Sequence, residues 1–300
     1  MCKEPKISII TPSYNQGNYL EETILSVINQ NYPNLEYIVI DGGSTDNSID
    51  IIKKYQDKIK YWISEKDGGQ SEAINKGFKI ATGEIIAWIN SDDMYGKNTF
   101  IEVANAYSSL NSTEQNTFWI IGDCQAFGSL SWKFQAMEFS TNNLIEFWKN
   151  NIGQPSVFWR ANLIANPILN EELHYSMDLD LWLRLSRISK PIILKKILSF
   201  ARYYSETKTA TGQHKRYREI LNVLLENNRI ENGFTEKYII QNLKKNFYST
   251  YYHSTIISSL NDFRLQSLKH WKPTFTERLR ISLKIIFITL KYIFGVGNFK

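Results

Sequence analysis

Ile85-Ile86-Ala87-Trp88-Ile89-Asn90-Ser91-Asp92-Asp93 is an apolar run that stops abruptly on two adjacent acids. A short run of this kind, rich in β-branched and aromatic residues, reads as a strand buried on both faces of a parallel sheet. Three earlier stretches, Ile7 to Ile10, Tyr37 to Ile40 and Tyr61 to Ser64, have the same character. Between them, Tyr19 to Asn29, Ser48 to Tyr55 and Ser71 to Ala81 carry apolar residues at three-and-four spacing, and Gly83 sits where the third helix should stop. Strand and helix in alternation build βαβ units, so the spacing predicts an α/β fold with a mostly parallel sheet flanked by helices. After Phe100 the order loosens. Ile120-Ile121 and Val157 to Trp159 read as strands, with a helix around Leu144 to Lys149 between them. Asp178 to Ser189 reads as a helix and Ile192 to Phe200 as a last strand; Arg216 to Asn228 and Lys237 to Tyr252 look helical. A boundary near 205 to 215 divides the chain into a domain over 1–210 and a helical C-terminal region over 211–300.

Open parallel sheets bind ligands beyond the carboxyl ends of their strands, so the residues after each run carry the functional argument. Thr11-Pro12-Ser13-Tyr14-Asn15-Gln16-Gly17-Asn18 follows the first strand and contains neither G-x-G-x-x-G nor a P-loop. Tyr14 there either stacks on a nucleobase or packs on the next helix. After the second strand, Asp41 of Asp41-Gly42-Gly43-Ser44-Thr45-Asp46 either accepts a hydrogen bond from a base or ribose or serves the turn, whereas Asp46 reads as structural. Asp67-Gly68-Gly69-Gln70 closes the third strand in the same style, and the repetition points to one shared pocket. Asp92 and Asp93 repel each other at a buried strand end unless something positive neutralises them. A divalent cation with open positions, Mg²⁺ or Mn²⁺ carrying a diphosphate, would do so; the alternative is an exposed turn. Farther on, Met177-Asp178-Leu179-Asp180 opens a helix with two acids, which either complement the helix dipole or supply a general base.

Together, Ile9 to Asn15, Ile40 to Asp46, Asp67 to Gly77 and Asn90 to Asp93, in that order, resemble family 2 glycosyltransferases over about residues 5 to 205. The resemblance implies the GT-A fold and an inverting, metal-dependent hexosyltransferase. Such an enzyme moves a sugar from a nucleoside-diphosphate donor (UDP, GDP or dTDP type) to a hydroxyl of a glycan or lipid-linked acceptor. Asn90-Ser91-Asp92 falls on the family's D-x-D position, which implies Asp92 as the main metal ligand with Asp93 beside it, and Mn²⁺ or Mg²⁺ as cofactor. Tyr14 and Asp41 fall on nucleobase-binding positions, with Thr11, Pro12 and Ser13 alongside; Asp67, Gln70, Asn90 and Ser91 complete the donor set. Asp178 falls on the catalytic base and Asp180 behind it. Lys208 or His214 would meet the diphosphate. Three positions depart from the pattern: Asn90 replaces an acid, Met177 a glutamate and Tyr204 a histidine.

Bulk composition is that of a folded chain, 43% hydrophobic and 22% charged, which argues against disorder. Two distant cysteines and an N-terminus with no signal-like segment lead us to expect a cytoplasmic protein. The net charge of +5 is uneven: residues 1–200 carry 18 Lys+Arg against 23 Asp+Glu, residues 201–300 carry 17 against 7. In 276–294 basic residues interleave with large apolar ones, a pattern for an anionic membrane interface rather than for nucleic acid, or for a helix packed on protein. Surface polysaccharide or glycan synthesis is the expected setting. A non-catalytic nucleotide-sugar-binding module is the alternative function. A nucleotidyltransferase is the weaker rival, since Thr11 to Asn18 has no basic residue.

Overall fold

A computed structural model describes residues 4–138 and 152–212, together with 215, 216, 219, 220, 222, 223 and 226. Strands β1 (Ile7–Ser13), β2 (Leu35–Asp41), β3 (Tyr61–Ser64) and β4 (Ile85–Trp88) alternate with helices α1 (Leu20–Ile28), α2 (Ser48–Lys54) and α3 (Gln70–Ile80). All pairings among these four strands are parallel, in the order β3-β2-β1-β4. Beyond β4 the sheet is mixed rather than mostly parallel. β5 (Met94–Tyr95), α4 (Thr99–Ser108), α5 (Ser112–Asn116), β6 (Trp119–Gly128), β7 (Trp132–Phe134), β8 (Val157–Arg160), α6 (Met177–Ile188), β9 (Ile192–Tyr203) and α7 (Lys208–Thr211) follow. β8 runs antiparallel between β4 and β6, β6 pairs in parallel with β9, and β5 and β7 close as antiparallel additions. β6 and β7 are joined by a short hairpin and pair antiparallel, whereas β6 and β9, which pair in parallel, are separated by a long connection that includes α6.

The first-half elements agree with their apolar periods to within a residue or two, except that β1 runs three residues past Ile10 to Ser13. β6 and β9 are longer than expected because each continues past its apolar part into residues that pair with the other. α3 ends at Ile80, before Gly83. That glycine serves close approach instead: a Cβ there would stand 2.7 Å from the Ser8 nitrogen. Gly77, inside α3, is needed for the same reason, since a Cβ would meet Ile10 at 2.5 Å. The expected helix around 144–149 lies outside the described residues, as do the bulk of those at 216–228 and 237–252 and the basic stretch 276–294.

Beneath the carboxyl edge of β4 the core is aromatic. Trp88 of β4 stacks on Trp182 of α6 with centroids 5.5 Å apart and planes at 19°, while Trp159 of β8 meets both edge-on. Ile220 and Val223, from beyond the expected division at 210, are buried in this same core.

At the opposite, amino edge, Glu36 is 4% exposed. Its carboxylate accepts from Lys6 Nζ (2.7 Å), Ser8 Oγ (2.5 Å), Thr82 N (2.7 Å) and Thr82 Oγ1 (2.7 Å), joining β1, β2 and the α3–β4 turn. Burial pushes its pKa up, but Lys6, Ser8 and Thr82 outweigh that and hold it at about 2. A depressed carboxylate stabilises the fold above its unfolded pKa and loses that contribution as pH falls towards the folded value. Glu36→Gln is therefore expected to destabilise by about 2–3 kcal/mol near neutrality. In urea titrations from pH 7 to pH 2, the gap between variant and wild type should close below about pH 4.5; a constant gap would exclude the ionic origin.

Candidate active site

The loops after β1 and β2 are stitched together before any ligand arrives. Asn15 N donates to Ser44 Oγ (2.8 Å), Gln16 N to Ser48 Oγ (3.1 Å), Gly17 N to Asp46 Oδ2 (2.8 Å), and Thr45 N to Asn15 Oδ1 (2.8 Å). Asp46 is thus structural, also accepting from Ser48 N (3.0 Å). Within β1, Thr11 and Pro12 are buried, and Thr11 Oγ1 bonds to Tyr37 Oη (3.1 Å), so Thr11 is turned into the protein. Ser13 Oγ is buried without a hydrogen-bond partner among the described residues. Tyr14 is 61% exposed and presents its ring at the strand end, as a stacking platform requires.

Asp41 is fully buried. Its Oδ2 accepts from Gly43 N (3.1 Å), Ser44 N (2.8 Å) and Ser64 Oγ (2.6 Å), and its Oδ1 from Ser44 Oγ (2.5 Å). One acceptor position on Oδ1 is left, so Asp41 chiefly fixes the loop. Asp67 is the better-presented acid: half-buried, it receives Gly69 N on Oδ1 (2.9 Å). Burial raises its pKa, Glu72 and then Asp41 add to the rise, and Gly69 and Lys76 oppose it. Gly42 makes room for it, since a Cβ there would lie 2.8 Å from Asp67 Oδ2.

At the end of β4 the two acids separate in role. Asp93 is 5% exposed and turned inward; Oδ1 accepts from Arg202 N (2.9 Å) and Oδ2 from Asn90 Nδ2 (3.2 Å). Burial and the charge of Asp92 push its pKa well above the ordinary value. Asp92 is half-buried, accepts from Tyr204 Oη on Oδ2 (3.0 Å), and is also raised by burial. Arg202 clamps the turn by donating from Nε to Asp92 O (3.0 Å) and from Nη2 to Glu22 (2.6 Å), between the rings of Tyr19 and Phe127. Ser91 is buried inside the turn. Asp92, half-buried and raised, fits a hard divalent cation that takes its other ligands from water or diphosphate oxygens, with Asp93 turned inward behind it. No group of three or more His, Cys, Asp or Glu side chains able to hold a metal occurs among the described residues.

Asn90 is a junction. It accepts from Gln70 Nε2 (2.7 Å) and donates to Asp93 and to Gln154 Oε1 (3.2 Å), while Lys208 Nζ donates to Gln70 Oε1 (2.8 Å). Burial lowers the Lys208 pKa. Asp178, second residue of α6, is half-buried; Oδ1 accepts from Leu179 N (2.8 Å). Burial raises its pKa, while the Leu179 N–H and Arg216 oppose the rise. Asp180 instead pairs with Arg184 (2.9 Å), which also holds Ile168 O (2.5 Å). The loop leading to α6 is pinned by Asn75 of α3, whose amide donates to Leu169 O (2.9 Å) and accepts from Leu169 N (2.9 Å). His214 lies outside the described residues. Gln154 and Glu219, both in hydrogen-bonding positions here, had no sequence signal: each is a lone polar residue in no motif, brought in by chain return.

Comparison with known proteins gives a consistent pattern. The profile of the family described as glycosyl transferase family 2 matches residues 8–159. An uncharacterized glycosyltransferase of Rickettsia typhi is 29% identical over 259 residues, 80% of this chain and 74% of its own. A putative teichuronic acid biosynthesis glycosyltransferase, TuaG, of Bacillus subtilis is 38% identical over 98 residues, 32% of this chain and 39% of its own. Among solved structures, S. aureus TarS 1–349 in complex with UDP-GlcNAc superposes with a TM-score of 0.61 at 22% identity, covering 87% of this chain and 76% of that one. The mannosyltransferase PcManGT of Pyrobaculum calidifontis, in complex with GDP-Man and Mn²⁺, superposes with a TM-score of 0.56 at 14% identity, covering 98% and 88%. At these identities the two structures bear on the fold alone.

Proposed function

Since the chain belongs to glycosyl transferase family 2, we propose that it transfers a sugar from a nucleoside-diphosphate donor to an acceptor hydroxyl, inverting the anomeric centre, with Asp178 as general base. The observation that carries this reading is convergence. The segment after β9 returns to the carboxyl edge of the sheet through Tyr204 to Asp92 and Lys208 to Gln70, and so closes one polar site over the ends of β1 to β4. Tyr14 stacks on the base and Asp67, with the remaining acceptor position of Asp41, receives its N–H groups. Lys208, held by Gln70, meets the diphosphate charge. Asp92 is the residue that would hold Mn²⁺ or Mg²⁺, with Asp93 behind it, and a cation there would neutralise charge on the departing diphosphate.

The chemistry falls to Asp178. Its carboxylate takes the proton of the acceptor hydroxyl as that oxygen bonds to the anomeric carbon, and the electron pair of the breaking C–O bond leaves with the diphosphate. A base whose pKa is raised by burial retains the proton affinity the step needs, and it loses activity at acid pH as it protonates. The likeness to TarS, solved with UDP-GlcNAc, and to TuaG of teichuronic acid biosynthesis supports nucleotide-sugar chemistry and surface-polymer synthesis as the setting. A non-catalytic binding module would bind donors without releasing nucleoside diphosphate. Among the described residues no helix is long and apolar enough to cross a membrane, and we place membrane contact, by charge pattern, in 276–294.

Thermal-shift screening against UDP, GDP and dTDP sugars with Mn²⁺ identifies the donor, because a ligand that binds the folded form raises its melting temperature. With that donor, Asp178→Asn is expected to keep the shift and to lose about 10²- to 10⁴-fold in kcat; an active variant would remove Asp178 from its role. Asp92→Ala is expected to lose the part of the shift that depends on Mn²⁺. An undiminished Mn²⁺ response would move the metal site elsewhere. Flotation with anionic liposomes should carry the full chain but not a chain ending at residue 273, and equal flotation of both would dismiss the membrane reading.

A further inference from the structure

Ser176, the residue before α6, has the side chain of a helix cap but does not cap. Its hydroxyl donates outward, to Glu219 Oε1 (2.9 Å). The same oxygen accepts from Tyr175 N (2.6 Å) and Ser176 N (2.7 Å), and Oε2 accepts from His174 N (3.0 Å). One carboxylate therefore gathers three consecutive backbone N–H groups and a hydroxyl immediately before the helix that carries Asp178. Charge-assisted bonds of this kind are among the stronger ones available to a protein, and the positive end of the helix dipole adds to them.

The clasp is anchored. Ile220 and Val223, beside Glu219 in sequence, are 3% and 2% exposed in the main core. Gly212 lies so close to the Tyr175 ring that a Cβ would meet it at 2.7 Å. From the other side Lys208 Nζ, already bonded to Gln70, approaches His174 O at 3.4 Å. His174 to Ser176 is thus held at its N–H groups by Glu219 and at a carbonyl by Lys208.

Building on the assignment of Asp178 as base, we propose that Glu219 is its positioning residue: by fixing the three residues before α6 it sets the direction in which the Asp178 carboxyl meets the acceptor. A residue outside the strand-end loops, in the region after β9, thereby becomes part of the catalytic apparatus. Electrostatics agree with the geometry. After burial, which dominates, the charged groups acting on Asp178 are Arg216, pulling its pKa down, and Glu219, pushing it up. Asp180 on the same helix is paired with Arg184. His174 and Lys208 sit on the Glu219 side, and burial lowers both of their pKa values.

The test uses the full chain and the donor found by the thermal-shift screen, following nucleoside diphosphate release to water over pH 4.5 to 8. Glu219→Ala is expected to lower kcat by roughly a hundredfold, the effect of a misplaced catalytic group, with donor KM within about twofold of wild type. Because a like charge is removed, the Asp178 pKa falls, and the acid limb of the kcat profile moves to lower pH. Glu219→Gln keeps an accepting oxygen but not the charge, so it should recover most of kcat while showing the same displaced limb. That variant also carries the test if the alanine variant does not fold. An unchanged kcat and limb in either folded variant, or a loss of kcat with an unmoved limb that glutamine fails to rescue, would overturn the proposal. Asp178→Asn separates the two readings. If it stays active the base assignment itself fails; if it is dead while Glu219 variants behave as wild type, only the positioning role fails.

Discussion

The stack of Trp182 on Trp88 sets the distance between the two halves of the site. Trp88 ends the strand that leads into Asn90 to Asp93, and Trp182 lies one helical turn after Asp178. The acid that would face the diphosphate and the acid that would face the acceptor are therefore registered through two rings 5.5 Å apart. Trp159 and Phe78 wedge edge-on against this pair. The indole N–H groups of Trp88, Trp159 and Trp182 are buried without a hydrogen-bond partner among the described residues. Each such group costs about 1–3 kcal/mol. Burying about 150–250 Å² per ring returns about 4–6 kcal/mol, so the apolar gain wins and the cluster persists despite its polar deficit.

Polar chemistry above that floor depends on substituting amide and phenol for ionised groups. An aspartate at position 90 would put a third acid 3.2 Å from Asp93, in a place with little solvent. The Asn90 amide instead donates to Asp93 and Gln154 and accepts from Gln70. Tyr204 similarly gives Asp92 a neutral donor where a histidine was the expected residue. Two of the three departures from the family pattern, Asn90 and Tyr204, thus carry hydrogen bonds of their own at the strand end.

Legibility followed the range of the forces involved. The βαβ half could be read because each element declares itself by a local apolar period, and the loops could be ranked because a parallel sheet gathers them at one edge. The mixed half could not: Trp119 to Gly128 gives no local sign that it must pair with β8, β7 and β9 at once. Within the site, types were readable and duties were not. Asp41 and Asp67 look alike in sequence, yet one is enclosed by four hydrogen bonds and the other left open. Asp92 and Asp93 are neighbours, yet one is turned inward to hold Arg202 N.

By itself the sequence determined the α/β class, the strand-end loops that gather at one edge of the sheet, and the family, because these depend on residue spacing within single βαβ units. Tertiary structure alone decided which of two adjacent acids remains available, what replaces the missing acid and histidine, and that Glu219 reaches back to the start of α6. Those outcomes depend on which distant segment arrives at each polar atom and how completely water is excluded there, and neither is written in any local stretch of the chain.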